Sequence, residues 1–197
     1  IDAWLQAARE HLDPQTGLLP HDRDEGPRGL NSALALRFLA ELDPAFAQAG
    51  LVAFREHFLD RLVVLPAVRE YPKGAQGPRD ADSGPLLGPV SVVATALTIG
   101  SAQVLGDAPL AGALLRATEL IGLPFGLDGG KRYGMGALLV LDAALAWSKT
   151  ARAWTRPIPT RYYEPIFPGW RLWWYGVVLA VLLLAWFPVL DRLRGAS

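Results

Sequence analysis

LWWYGVVLAVLLLAWFPVL, running from Leu172 to Leu190, is the stretch on which the reading of this chain turns. It carries no charge and is flanked by Arg171 before and by Asp191, Arg192 and Arg194 after. At 1.5 Å of rise per residue, about 19 helical residues span roughly 28 Å, close to the hydrocarbon thickness of a bilayer. A helix satisfies its own backbone hydrogen bonds, which is what lets such a segment sit in lipid. Trp170, Trp173, Trp174 and Tyr175 supply rings suited to the headgroup layer, and Tyr162, Tyr163 and Phe167 precede them. The pattern predicts one C-terminal transmembrane helix over 172–190, with a lipid bilayer as partner; a fully buried core helix is the plainer alternative.

Working outward, the chain has 197 residues, with Lys+Arg 19 against Asp+Glu 19 and no cysteine. A net charge of zero argues against a nucleic-acid partner, which calls for a basic excess. The lack of cysteine excludes disulfides, thiolate metal sites and a Cys nucleophile. No cofactor is indicated. The chain opens at Ile1 already in a helical pattern, which reads as a fragment or processed product. Removing the expected anchor and its approach leaves about 155 residues, enough for one domain with a core.

Residues 1–150 read as an all-α module of six helices. Asp2 is expected to cap a first helix to about Leu12, and a second runs from Asn31 or Ser32 to Leu42. Asp43-Pro44 opens a third whose Phe54, Phe58 and Leu62 form a stripe ending before Pro66. The fourth covers Val90 to Leu105. Asp107 caps a fifth, with Pro109 in its first turn, running to Gly122, and the sixth covers Gly136 to Thr150. Residues 151–171 form a Pro- and aromatic-rich juxtamembrane strap, and 191–197 a short tail.

The connections alternate in length. Only Asp43 separates the second and third helices, and only Gly106 and Asp107 the fourth and fifth. The other three links are long and rich in Gly, Pro and charge. Tightly joined helices run antiparallel, so all three long loops emerge at one end of the bundle. LDPAFA (Leu42 to Ala47) and LGDAPLA (Leu105 to Ala111) read as the same corner repeated.

This alternation, with TGLLPHD (Thr16 to Asp22) and DADSGPLLG (Asp80 to Gly88), resembles the α/α-toroid proteins, loosely the linalool dehydratase/isomerase-like bacterial proteins. The resemblance implies helical hairpins arranged as a partial α/α-toroid arc around a cup. The chemistry of those proteins is assigned to cysteines, which this chain lacks.

In the loops, Asp80 and Asp82 are paired carboxylates held between glycines and Pro85, the pattern of an acid and base flanking a scissile bond. A role as structural cap or as part of a Ca²⁺ loop stands beside it, although an EF-hand ligand series is missing. His21, with Asp22 or Asp24 to orient it, is a candidate base, against the plainer reading of a solvated turn. Arg69, Glu70 and Tyr71 are placed along the same cup, Arg69 as an anion ligand or as an ion-pair partner of Asp80 or Asp82. Arg28 and Tyr133 complete the expected substrate-binding set with Arg69 and Tyr71. No His pair has metal spacing, so no metal is expected.

Two functions follow. One is a membrane-anchored enzyme, a hydrolase or lyase acting on a carbohydrate or isoprenoid-like substrate through Asp80, Asp82 and His21. The other is a non-catalytic accessory subunit of a complex with other membrane proteins. The expected location is a bacterial inner membrane.

Overall fold

The computed structural model describes residues 1–81, 83–127, 130–136, 139–154 and 170–194. The chain divides into two units, Ile1–Thr160 and Arg161–Ser197.

In the first unit the order is α1 (Asp2–Glu10), α2 (Gly29–Leu42), α3 (Pro44–Phe58), β1 (Leu59–Leu62), β2 (Leu65–Val68), β3 (Leu86–Leu87), β4 (Val90–Ser91), α4 (Val92–Val104), α5 (Ala108–Ile121), β5 (Phe125–Leu127), β6 (Gly130–Arg132) and α6 (Leu139–Thr150). α4 is the core: from Val93 to Val104 every residue is buried. It packs on α2, α5 and α6. Small side chains make that approach possible. The Ser101 hydroxyl donates to Ala33 O of α2 at 2.5 Å, and a Cβ on Gly100 would lie 3.2 Å from Ser148 Cα of α6. Inside α4, Thr95 and Thr98 return their hydroxyls to Ser91 O and Ala94 O at 2.7 Å each, so the polar groups of the core helix are satisfied. Ile99, Leu114 and Leu145 are fully buried, each worth about 1.5–3 kcal/mol of apolar transfer.

The tight corners form as the sequence indicates. Asp43 caps α3 by accepting from Phe46 N at 2.9 Å, and Asp107 caps α5 by accepting from Leu110 N at 3.1 Å, each with Pro in the first turn. A feature not read from the sequence joins them. Arg9 of α1 pairs with Asp43, and Arg55 of α3 pairs with Asp107, so each cap is stapled to the helix two before its own. The first long connection leaves α1 beside the α2–α3 corner, where Arg9 of its last turn meets Asp43.

The module is not all-α. Three small antiparallel hairpins, β1–β2, β3–β4 and β5–β6, sit in the long connections. The third helix stops at Phe58 rather than running past Leu62, because Val63, Val64 and Pro66 disfavour helix and the chain turns back as β1 and β2. Val63 takes φ of 60° at the hairpin tip, a strained setting for a β-branched residue. α4 begins at Val92, with Ser91 as its cap, since Val90 and Ser91 pair with β3. Asp2 is the first helical residue and makes no side-chain cap.

The second unit contains α7 (Trp170–Arg194). The helix exists, but the expectation of a membrane span is corrected: among the described residues no helix is long and apolar enough to cross a membrane. Trp173, Trp174, Tyr175 and Gly176 dilute its start. The aliphatic run from Val177 to Ala185 rises only about 14 Å, under half a hydrocarbon core. Residues 155–169 of the expected strap, with Tyr162, Tyr163 and Phe167, lie outside the described residues, as does the side chain of Trp170. Trp173 is exposed, Trp174 half-buried and Tyr175 exposed.

Candidate functional site

The long connections place a polar site beside the start of α2. Arg28, the residue before that helix, is only 2% exposed. Its Nη1 donates to both Asp80 oxygens, at 3.0 and 2.9 Å, and its Nη2 donates to Glu25. The guanidinium also lies 5.4 Å from the centroid of the Tyr71 ring. Burial opposes the Arg28 charge, but its hydrogen bonds to the two carboxylates outweigh it and raise its pKa above the ordinary value. One cation is shared by two anions, so the cluster keeps a net negative charge.

Asp80 is held further by the Ser83 N–H at 3.0 Å and the Ser83 hydroxyl at 2.9 Å. The Arg28 hydrogen bond, then those from Ser83, bring its pKa to about 2. Asp80 is therefore ionised throughout the physiological range.

Glu70 is the opposite case. It follows β2 and is 1% exposed, on the same side of the extended chain as fully buried Val68. Its backbone is fixed at both ends: Glu70 O accepts from Gly29 N at 2.7 Å, and Glu70 N donates to Pro89 O at 3.0 Å. Neither carboxyl oxygen has a hydrogen-bond partner among the described residues. Burial raises its pKa to about 7; nearby Ser91 and Arg28 favour the ionised form but do not offset the desolvation, and the Asp80 charge adds to it.

Two cavities open beside this cluster. One, of about 460 Å³, is lined by Glu70, Arg69, Tyr71, Gln76, Arg79 and Leu86 among others. The second, of about 700 Å³, includes Glu25, His57, Tyr71 and Lys73. Both volumes lie in the range of small-molecule sites. Tyr71 and residues 75–77 line both cavities. The Tyr71 hydroxyl donates to Pro78 O at 2.6 Å, and Gly77 lies against its ring, where a Cβ would come within 2.4 Å.

The structure therefore brings together Arg28, Tyr71, Asp80 and Arg69 from the sequence-derived set. Arg69 pairs with Asp60 at 2.8 Å, not with Asp80, whose partner is Arg28. Asp82 lies outside the described residues. His21 lines neither cavity; its Nδ1 meets the Asn31 side-chain amide. Asp22 accepts from Asp24 N and Glu25 N at 2.8 and 2.7 Å, serving its own turn.

Tyr133 is also elsewhere, 3% exposed in a fastener between α5, β6 and α6. Its hydroxyl donates to Glu119 at 2.6 Å and contacts Lys149, while Lys131 and Lys149 donate to Glu119 at 2.6 and 2.9 Å. Burial alone would raise the Glu119 pKa; donation from Lys131, Tyr133 and Lys149 overrides it and brings the value to about 2. Among the described residues no three His, Cys, Asp or Glu side chains converge as a metal site.

Glu70 is the residue whose role sequence reasoning missed. It was placed along the cup without a chemical part; the period-2 alternation of Val68 and Glu70 was the available signal. No protein-family model matches the chain, and no curated protein matches it.

Proposed function

We propose that the Glu70–Asp80 region carries acid–base chemistry on a hydroxylated, carbohydrate-like substrate, with hydrolysis of a glycosidic bond as the reaction. The observation that supports it is one pair of neighbouring carboxyls with opposite environments beside a ligand-sized cavity, Glu70 with a pKa of about 7 and Asp80 of about 2. Environments that push two carboxyl pKa values apart assign an acid and an anion. When its side chain turns from the Val68 side into the cavity, Glu70 donates its proton to the glycosidic oxygen as the bond to the anomeric carbon breaks and the electron pair leaves with oxygen. Water adds to that carbon, releases its proton to solvent, and Glu70 is reprotonated. Asp80, in a cluster of net negative charge, stabilises the positive charge that develops on the sugar.

The test compares wild type with Glu70→Gln on alkyl and 4-nitrophenyl glycosides. Loss of a general acid lowers alkyl-glycoside turnover by about 100-fold or more, while the nitrophenyl substrate, whose leaving group needs little protonation, is affected far less. No turnover of any glycoside by the wild type, or equal losses on both substrate classes, counts against the reading.

A second reading, an accessory subunit, is favoured by α7, which exposes Leu172, Trp173, Leu183 and Leu184. Native mass measurement of the purified chain tests it. A stable monomer with no co-purifying protein opposes it.

A further inference from the structure

α7 presents a row of apolar residues to its surroundings. Leu172, Gly176, Leu179, Leu183 and Trp186 follow one another at spacings of four, three, four and three, the repeat that lines up the seam between paired helices. All five are exposed. At roughly 3.6 residues per turn, Trp174, Val177 and Val178 fall on the opposite side of the helix, and these three are half-buried. No charge interrupts the stretch from Leu172 to Leu190. A contiguous apolar face of this kind marks a surface of association.

The row holds one recess and one projection. A Cβ on Gly176 would meet nothing within 4 Å, while Trp186, further along the same line, carries the bulkiest side chain. Two copies of α7 laid side by side in the same direction would set Gly176 against Gly176 and Trp186 against Trp186. That arrangement leaves a void at one level and crowds the other, and both cost stability. Laid in opposite directions, Trp186 of each copy fills the space beside Gly176 of the other. The same register sets Leu179 against Leu183 on both sides of the two-fold axis, with Ala180 facing Ala180 and Leu182 facing Leu182 on the flanks. A different protein would have to bring its own bulk for Gly176 and its own recess for Trp186; a second copy brings both.

We propose that α7 is a dimerisation helix, pairing antiparallel with α7 of a second copy of this chain through the seam from Leu172 to Trp186. Two such seams with their flanks cover on the order of 1,000 Å², the size a specific interface requires. Trp186 is the anchor, a large ring seated in a recess near each end of the contact. Opposed helix dipoles favour the antiparallel sense. The inference concerns α7 alone and stands apart from the acid–base reading.

The test is sedimentation equilibrium of the purified full chain at micromolar concentration. The wild type is expected to show twice the single-chain mass of 21.3 kDa. Leu183→Asn is expected to weaken the dimer by about tenfold or more. Val181→Asn, at a residue 58% exposed against 60% for Leu183 but on the far side of the helix, is expected to leave it unchanged. Direction is read by disulfide trapping, which the absence of native cysteine makes unambiguous. Mild oxidation of a mixture of Leu179→Cys and Leu183→Cys chains is expected to yield chiefly the mixed disulfide between the two variants. Each variant linked chiefly to itself means parallel pairing and overturns the register. A monomeric wild type, or equal effects of Leu183→Asn and Val181→Asn, overturns the seam. A chain that assembles only with a different protein, or only on phosphatidylcholine vesicles, overturns the choice of a second copy as the partner.

Discussion

Replacing Glu70 by Gln tests the burial argument directly, independently of any substrate. Glu70 has a pKa of about 7 in the folded chain against 4.5 as its ordinary value, because burial disfavours its charged form. Below about pH 4.5 the carboxyl is protonated in both folded and unfolded chains, and its titration costs nothing. As the pH rises toward 7, the unfolded chain loses the proton that the folded chain retains, so stability falls. Above about 7 the loss is complete and constant. A difference of about 2.5 pKa units corresponds to about 3 kcal/mol. Gln has the shape of the protonated acid and no titration. Urea unfolding followed by circular dichroism, run on both proteins at about pH 4.5 and pH 8, gives the difference free of other titrating groups. The variant is expected to gain about 3 kcal/mol on the wild type between those conditions. A difference that stays constant within about 0.5 kcal/mol would refute the reasoning, for it would mean that water reaches the Glu70 carboxyl in the folded chain.

Glu119→Gln has the opposite sign. Its folded pKa of about 2 lies below the ordinary 4.5, so its stabilisation is fully present above 4.5 and is lost as the pH falls through 2. The same unfolding assay should show a deficit of about 3 kcal/mol at pH 6 that closes on acidification; a pH-independent deficit would contradict it. Gly29→Ala should destabilise by about 2–3 kcal/mol or more, since the added Cβ would lie 2.0 Å from Arg69 O, beside the 2.7 Å bond from Gly29 N to Glu70 O. Thermal unfolding checks it, and an unchanged midpoint would show that the β2–α2 junction is loose.

The parts of the fold visible in the sequence are those set by local chemistry. Asp43-Pro44 and Asp107 with Pro109 announce helix starts because cap and fixed φ act within one turn. The short and long links follow from those corners. Strand formation in the loops was hidden because Phe54, Phe58 and Leu62 share a helical stripe, while Val63, Val64 and Pro66 overrule it only one turn later. The span at the C-terminus was over-read by counting Trp173, Trp174, Tyr175 and Gly176 with the aliphatic residues. At the site, the partnership of Arg28 with Asp80 crosses 52 positions and the staple of Arg9 with Asp43 crosses 34, and no spacing rule reaches so far. Arg69 was an equally good partner by sequence; only the hairpin register, which brings Asp60 near it, decides between them.

Two of the buried carboxyls of the helical module, Glu70 and Glu119, bear on whether the Glu70 environment is incidental. Glu119 receives two ammonium groups and a phenol, drawn from β6, the residue after it and α6. The same chain therefore satisfies a buried carboxylate where its only task is to fasten helices. At Glu70 the cation that acts on it, Arg28, gives its hydrogen bonds instead to Asp80 and Glu25. Leaving a group at a cost of about 3 kcal/mol, against a typical net stability of only 5–15, is hard to explain by packing. An apolar residue of equal volume would be more stable there. A carboxyl that holds its proton near neutral pH beside an open cavity has one property an apolar residue lacks: it can give that proton to something bound there.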